Sequence, residues 1–291
     1  MKYDTLQLLQ IKTKNFDIKH TIESGQPLTF FAEYDDAKKN LVYSNANNVI
    51  KLNFSGNSIN GKITVFDTNQ EYAKREIVNR FRLRDDMNFI YSKISTDSFM
   101  ANSIKNYHGM RLTLNDPWET ILCYIISQYN NMKRIRKITK NIIERFGVDI
   151  KEDNKTVAKT FPSSEELLKA SEKLLLECGA GFRAKYIKEA AEFCSFNIDL
   201  YKLKSKDYYT LKEDLMQISG VGDKVADCIA LLGYGKLEAF PIDVWVKRTL
   251  ENVYFKGKEK KIKDLHKFAD KKWGNLSGYA QQYLYWNGMH I

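Results

Sequence analysis

The chain has 291 residues, 43% of them apolar and 13% aromatic, long enough to bury a sizeable core and too apolar for a disordered segment. Lys and Arg number 46 against 36 Asp and Glu, a net charge of +10 that suits a polyanionic partner and equally fits a Lys-rich solvated surface. No apolar run approaches the roughly 18 residues of a spanning helix, and the polar start MKYDTLQLLQIKTKNFD is unlike a signal peptide, so a soluble intracellular protein is expected.

Residues 27 to 67 alternate the β-rich runs LTFFAEY, NLVYS, VIKLNF and KITVF with turn signals, which predicts a four-stranded antiparallel meander. From about Glu71 the pattern turns helical. Asp116, Pro117 and Glu119 have the types preferred at the N-cap, first and third positions of a helix. The TILCYIISQ segment that follows is apolar nearly all round, so it is predicted to lie buried at the centre of a helical domain. A basic helix comes next, MKRIRKITKNIIERF, stopped by Gly147. Its Lys133, Arg136, Lys137 and Lys140 form either a solvated or a phosphate-facing edge. Ser163 opens a further capped helix that ends near Gly179.

The densest chemistry lies between residues 215 and 245. A helix is predicted to end at Ile218, a tight turn to follow at residues 219–222, and a second helix to run from Asp223 to about Leu232. Gly220 and Gly222 would permit positive φ and close approach of the backbone to a ligand. Free N–H groups at the second helix start would favour a phosphate. Lys224 in that first turn faces the positive end of the macrodipole, and with partial burial it would be neutral often enough to act as a nucleophile. Asp243 is placed to cap the next helix, residues 244–252, and to accept the Lys224 proton. A surface lysine and a simple cap are the plain readings of the same two residues. The segment has neither a third glycine for a dinucleotide site nor the Gly-Lys-Ser/Thr of a P-loop. Cys123, Cys178, Cys194 and Cys228 are scattered without metal-ligand spacing.

VGDKVADCIAL followed by FPIDVW resembles the helix-hairpin-helix/Gly-Pro-Asp motif of base-excision DNA glycosylases, and most of all its 8-oxoguanine DNA glycosylase/AP lyase branch. Ser24-Gly25-Gln26, the GMRL…DPWE segment, the Tyr129-Asn130-Asn131 stretch, GFRAKY and the final helix from Ser277 to Trp286 are similar to further blocks of that family. The resemblance implies an α+β fold: an N-terminal antiparallel β-sheet with helices, residues 1–107, packed on a mainly α-helical glycosylase domain, residues 108–291, with its hairpin at about 211–232.

It also implies a site. Lys224 would be the nucleophile and Asp243 its essential partner. The Gly25 carbonyl would accept the hydrogen that 8-oxoguanine carries where guanine has an acceptor ring nitrogen. Gln281 would read the pairing edge of the base, with Tyr285 (Phe in the family) and Cys228 on its two faces. Asn130 and Asn131 would fill the gap left by the extruded base, although Tyr129 stands where the family has a first asparagine. Arg134 and Arg183 would face the opposite base, and Phe182 would wedge the stack. Gly220, Val221 and Gly222 would hold a backbone phosphate, through Na+ or K+ on the carbonyls of Met216, Ile218 and Val221 if a cation takes part. Trp245 replaces a phosphate-contacting histidine, leaving Lys247 or Arg248 as substitutes.

The implied activity is bifunctional: hydrolase-type release of the base through a lysine Schiff base, then β-elimination of the strand. The partner would be duplex DNA containing 8-oxoguanine, with no membrane and a monomer as the default. The setting would be the cytoplasm, associated with the nucleoid, in a prokaryote, and the nucleus in a eukaryote. No cofactor is required, and with no cysteine after Cys228 an iron–sulfur cluster is not expected. Two alternatives stay open: a glycosylase of this superfamily for other oxidised or alkylated bases, and a non-catalytic DNA-binding module.

Overall fold

A computed structural model describes residues 8–46, 48–57, 60–66, 69–152 and 155–290. The chain begins with a five-stranded antiparallel sheet of order β1-β5-β4-β3-β2: β1 Leu8–Lys14, β2 Glu33–Asp35, β3 Asn40–Ser44, β4 Val49–Gly56 and β5 Asn60–Phe66. Strict alternation makes one face apolar: β4 buries Ile50 and Leu52 and exposes Lys51 and Asn53. With Leu41, Tyr43 and Ile63 this face joins Ala73 and Ile77 of helix α3 (Gln70–Arg80) in one core.

The sheet departs from the expected four-strand meander in two ways. β1 pairs with β5 along its whole length, from Leu8 opposite Phe66 to Lys14 opposite Asn60, so its partner lies far along the chain. The LTFFAEY run is also not one strand. After α1 (Ile18–Glu23), residues Pro27–Phe31 form helix α2 and only Glu33–Asp35 join the sheet. Pro27 stands at the start of α2, where a missing N–H costs nothing, and Leu28 and Phe30 are buried. Tertiary packing here overrides the β preference of Phe and Thr. The expected turn between β4 and β5 lies partly outside the described residues, at 58 and 59.

The rest of the chain is almost wholly helical. In order come α4 Met87–Ile94, α5 Ser98–Asn106, α6 Pro117–Ser127 and α7 Met132–Phe146, then a short ladder of β6 Asp149–Glu152 and β7 Lys155–Lys159. Next are α8 Ser164–Leu167, α9 Glu172–Glu177, α10 Arg183–Phe196, α11 Tyr208–Leu215 and α12 Asp223–Tyr234. The chain closes with α13 Val244–Tyr254, α14 Ile262–Trp273 and α15 Ser277–Gly288. Residues 117–126 of α6 are all buried, as the all-round apolar pattern predicts, and α6 packs against α12 at the centre. Its start is as read: Asp116 accepts the N–H groups of Trp118 and Glu119, with Pro117 at the first position. Glu119 does not fold back to the cap. Its carboxylate lies 2.6 Å from the buried Arg80 guanidinium, which also reaches Glu76 and Asn115. This ion pair ties α3 to α6. By packing, α4 and α5 belong with the helical core, since the sheet core ends at Phe81 and the helical core resumes at Met87.

Candidate active site

The hairpin is built from α11, a turn at residues 216–222, and α12. α11 ends at Leu215, one turn before the expected Ile218, and the chain tightens through Ile218 N–H to Leu215 O and Val221 N–H to Ile218 O. Gly220 holds φ +82, and a Cβ there would lie 2.9 Å from the Cβ of Tyr186. Glycine is therefore required. Gly222 differs from expectation: its φ is −95 and nothing lies within 4 Å of where a Cβ would stand. Its role is to leave the start of α12 open, and no side chain caps that end. α12 opens at Asp223 as predicted and continues to Tyr234, where Gly235 in the left-handed region stops it.

Lys224 projects from the first turn of α12, partly buried, with Nζ 5.3 Å from the centroid of the Tyr124 ring. Cys228 lies one turn on, close enough to act on both Lys224 and Tyr124. Asp243 caps α13 by accepting the Val246 N–H at 2.8 Å, and its charge acts on Lys224, Cys228 and Tyr285. The electrostatics correct the expected depressed lysine. Burial does push the Lys224 pKa down, but Cys228 and Asp243 outweigh it and hold the ammonium above its ordinary value. Burial raises the Cys228 thiol, and the Lys224 ammonium opposes that rise. The resting lysine is charged, and chemistry requires that it first lose a proton.

The other wall comes from α15 and the loop of residues 24–26. Gln26 anchors this loop: its amide nitrogen donates to the carbonyls of Thr21 and Arg111, and its oxygen accepts from Thr113. Gln282 donates to the Ser24 carbonyl at 2.8 Å, tying α15 to the same loop. Gly25 between them has φ +74, and its carbonyl accepts no hydrogen bond among the described residues. A Cβ on Gly25 would lie 2.9 Å from the Tyr285 hydroxyl, so this tyrosine packs directly on the loop. Gln281 is 7% exposed, and its amide makes no hydrogen bond among the described residues. Thus Lys224, Asp243, Cys228, Tyr285 and Gly25 converge on one place, with Gln281 on the same helix as Tyr285.

The residues assigned to the opposite base divide differently from expectation. Arg183 is turned inward and buried, not facing outward. Its guanidinium donates to the carbonyls of Gln128, Tyr129 and Ala180, and so clamps the corner between α6 and α7. Both asparagines are committed to backbone: Asn130 to the Ile126 carbonyl and the Asn131 N–H, Asn131 to the Arg134 N–H as cap of α7. Arg134 is exposed beside Gly181, and no carboxylate pairs with it among the described residues. Phe182 stands 55% exposed at the start of α10 with the Arg183 guanidinium 4.4 Å from its ring centroid.

On α13, Trp245 is 37% exposed with Arg248 stacked 5.3 Å from its centroid. Lys247 is instead paired with Glu259 at 2.8 Å and Glu251 at 3.5 Å, while no carboxylate pairs with Arg248 among the described residues. The Ile218 carbonyl accepts the Val221 N–H, while those of Met216 and Val221 accept none among the described residues.

Sequence reasoning missed three supports. Tyr124 lies under Lys224, but inside an unbroken apolar helix nothing marks it. Gln128 donates to the Gly220 carbonyl at 2.7 Å and joins the α6 end to the hairpin. Asp227, fully buried, accepts from Tyr208 at 2.6 Å and pairs with Lys212 at 2.7 Å, while Lys212 also holds Asp223 at 2.9 Å. A carboxylate inside the apolar run VADCIALL was the signal for it. His266 joins Asp223 and Asp227 in a cluster within 4.8 Å, and Lys212 pairs with both carboxylates, which makes the group a brace between α11 and α12.

Comparison with known proteins finds relatives of the whole fold. Residues 122–275 match the HhH-GPD superfamily base excision DNA repair protein family, and residues 8–121 match the 8-oxoguanine DNA glycosylase N-terminal domain. A probable N-glycosylase/DNA lyase of Methanothermobacter thermautotrophicus is 30% identical over 239 residues, covering 75% of this chain and 76% of the relative. The N-glycosylase/DNA lyase of Saccharomyces cerevisiae is 32% identical over 251 residues, 75% of this chain and 67% of its own. Among solved structures, MBOgg1 with a low affinity DNA ligand superposes with a TM-score of 0.89 at 33% identity, covering 100% and 99% of the two chains. The Clostridium acetobutylicum 8-oxoguanine glycosylase/lyase, bound to dsDNA with cytosine opposite 8-oxoG, gives 0.87 at 29% identity, again over 100% and 99%. This chain belongs to the 8-oxoguanine DNA glycosylase branch of the HhH-GPD superfamily of base excision DNA repair proteins.

Proposed function

We infer that this protein excises 8-oxoguanine from duplex DNA and then nicks the strand as an AP lyase. The observation that carries the reading is the convergence of Lys224 and Asp243 with the unbonded Gly25 carbonyl across from Tyr285. The lesion nucleotide is flipped out of the helix. The Gly25 carbonyl accepts the ring N–H that 8-oxoguanine has and guanine lacks, Gln281 reads the pairing edge, and Tyr285 and Cys228 flank the base.

Lys224 loses its proton, and its nitrogen forms a bond to the anomeric carbon as the bond to the base breaks and the base leaves with the electron pair. Asp243 orients Lys224 and stabilises the positive charge that develops on the sugar, an electrostatic contribution that a desolvated site enlarges. Opening of the sugar gives the Schiff base. Loss of a proton from the adjacent carbon then expels the 3′ phosphate.

The open N-terminus of α12 and the backbone of Gly220, Val221 and Gly222 suit a DNA phosphate, with Arg248 beside Trp245 as a further cation. The free carbonyls of Met216 and Val221 are compatible with Na+ or K+ at the turn, which would supply positive charge for the phosphate. The chemistry proposed here needs no other cofactor. No helix among the described residues is long and apolar enough to cross a membrane. A chromosomal DNA substrate supports a nucleoid-associated setting in a prokaryote or a nuclear one in a eukaryote.

The test is gel analysis of an 8-oxoguanine·cytosine duplex without alkali. The expected product is a strand cut 3′ to the lesion, formed by the native protein and lost in Lys224→Gln. Intact strands that break only after alkali, with both proteins, would remove the lyase half.

A further inference from the structure

The brace behind the hairpin leaves one strong acceptor unused. Asp227 is fully buried in α12, and both Tyr208 and Lys212 approach its Oδ1. Its Oδ2 is closed off from solvent and has no hydrogen-bond partner. A buried carboxylate oxygen left without a partner costs stability unless something comes to meet it. Nε2 of His266, on α14, stands 3.8 Å from it, too far for a hydrogen bond. Asp223, one turn back on α12, completes a group of three donors whose ligand atoms all lie within 4.8 Å of one another. Its side chain is 62% exposed and free to turn into the group. Lys212 reaches the Oδ1 atoms of the two aspartates, at 2.9 Å from Asp223 and 2.7 Å from Asp227. One ammonium against two carboxylates leaves an uncompensated negative charge beside the imidazole.

We propose that Asp223, Asp227 and His266 bind a divalent transition-metal ion of the zinc class, with Oδ2 of Asp227 and Nε2 of His266 as its inner donors. The donor set selects that class. An imidazole nitrogen suits zinc, whereas Mg2+ and Ca2+ take oxygen donors. Donors about 2.0–2.2 Å from a tetrahedral zinc stand roughly 3.4 Å from one another. The 3.8 Å between His266 and Asp227 closes to that spacing with a small shift, and the exposed Asp223 supplies the larger movement. Water takes the fourth position, on the side where Asp223 meets solvent. Lys212 keeps Oδ1 of Asp227, the oxygen the ion does not use, and its charge holds the affinity to a moderate value. The ion is structural: it fastens α14 to α12, as Lys212 and Tyr208 already fasten α11. It is distinct from the monovalent cation considered at the turn carbonyls, and no step at Lys224 passes through it.

The experiment titrates the metal-free full chain with ZnCl2 by calorimetry in excess Mg2+, alongside His266→Ala and Asp227→Asn. X-ray absorption at the zinc edge on the loaded native chain gives the donor types. One zinc per chain is expected, with nitrogen and oxygen donors and no sulfur. His266 is partly exposed on α14, so its alanine variant should melt like the native chain when both are free of metal. It should bind zinc more weakly by at least the roughly tenfold that loss of a supporting hydrogen bond costs a metal site. Zinc should raise the melting temperature of the native chain by a few degrees and leave that of His266→Ala unmoved. Absence of saturable binding, equal binding by His266→Ala, or sulfur among the zinc donors would each overturn the proposal.

Discussion

Gly25 and Tyr285 are in direct contact: a side-chain carbon on Gly25 would come within 2.9 Å of the tyrosine hydroxyl and 3.2 Å of its ring. The contact joins the N-terminal loop to the last helix, so the base site exists only when both ends of the chain are folded together. Gly25→Ala meets this obstacle and also the cost of about 1–2 kcal/mol for a side chain at positive φ. Displacement of the loop by an ångström is enough to slow 8-oxoguanine excision about 100-fold. Single-turnover rates with a parallel melting curve check this, and unaltered excision would show that the loop does not hold the base.

Charge on Lys224 sets the pH dependence. Cys228 and Asp243 hold its pKa above the ordinary value against the effect of burial, and only the neutral amine attacks. The logarithm of the excision rate should therefore rise with pH through neutrality and level off only in the alkaline range. Asp243→Asn removes a negative charge that favours the ammonium form, so the Lys224 pKa falls and the rising limb moves to lower pH, while the plateau drops. A pH–rate profile of both proteins decides the point; an unmoved limb would mean that Asp243 does not act on Lys224.

Arg134 and Arg183 should separate cleanly. Arg134→Ala loses a guanidinium free to fork onto a base edge, and the preference for cytosine should shrink by about 1–3 kcal/mol. Arg183→Gln releases the corner that carries Tyr129, and should slow excision opposite all four bases by a similar factor. The ratio of rates across the four duplexes distinguishes the two, and a change of preference in Arg183→Gln would return that residue to the opposite strand.

Arg80→Met leaves Glu119 buried without its partner, at a cost of about 3–5 kcal/mol in unfolding free energy. Pairing it with Glu119→Leu should restore most of the loss. Urea unfolding of the single and double variants measures this, and a single variant within experimental error of the native chain would show that the pair does not lock α3 to α6.

Local chemistry explains which features were legible. Asp116, Pro117 and Asp243 mark helix starts with their own side chains or rings, and the glycines before Asp223 mark the hairpin turn, so the hairpin, its lysine and its capping aspartate could be placed without coordinates. β1 could not, because its partner β5 lies on the far side of three other strands in the chain. The short helix α2 follows from packing of Leu28 and Phe30, which the β-rich letters conceal. The charge on Lys224 depends on burial, Cys228 and Asp243 together, a balance that exists only in the fold. Arg183 reads as a DNA-facing cation from its neighbours, yet three carbonyls left by the α6 end and the turn before α10 draw it inward. Tyr129 was visible as a departure, but its exposure and positive φ were not.

The central claim is that Lys224 becomes covalently attached to the damaged nucleotide. The direct measurement is borohydride trapping on an 8-oxoguanine·cytosine duplex, with mass spectrometry of the cross-linked peptide, for the native chain and Lys224→Gln. A reduced adduct mapped to Lys224, absent from the variant and from an undamaged duplex, is the predicted result. Free 8-oxoguanine released with no adduct, or an adduct that survives Lys224→Gln, would contradict the account.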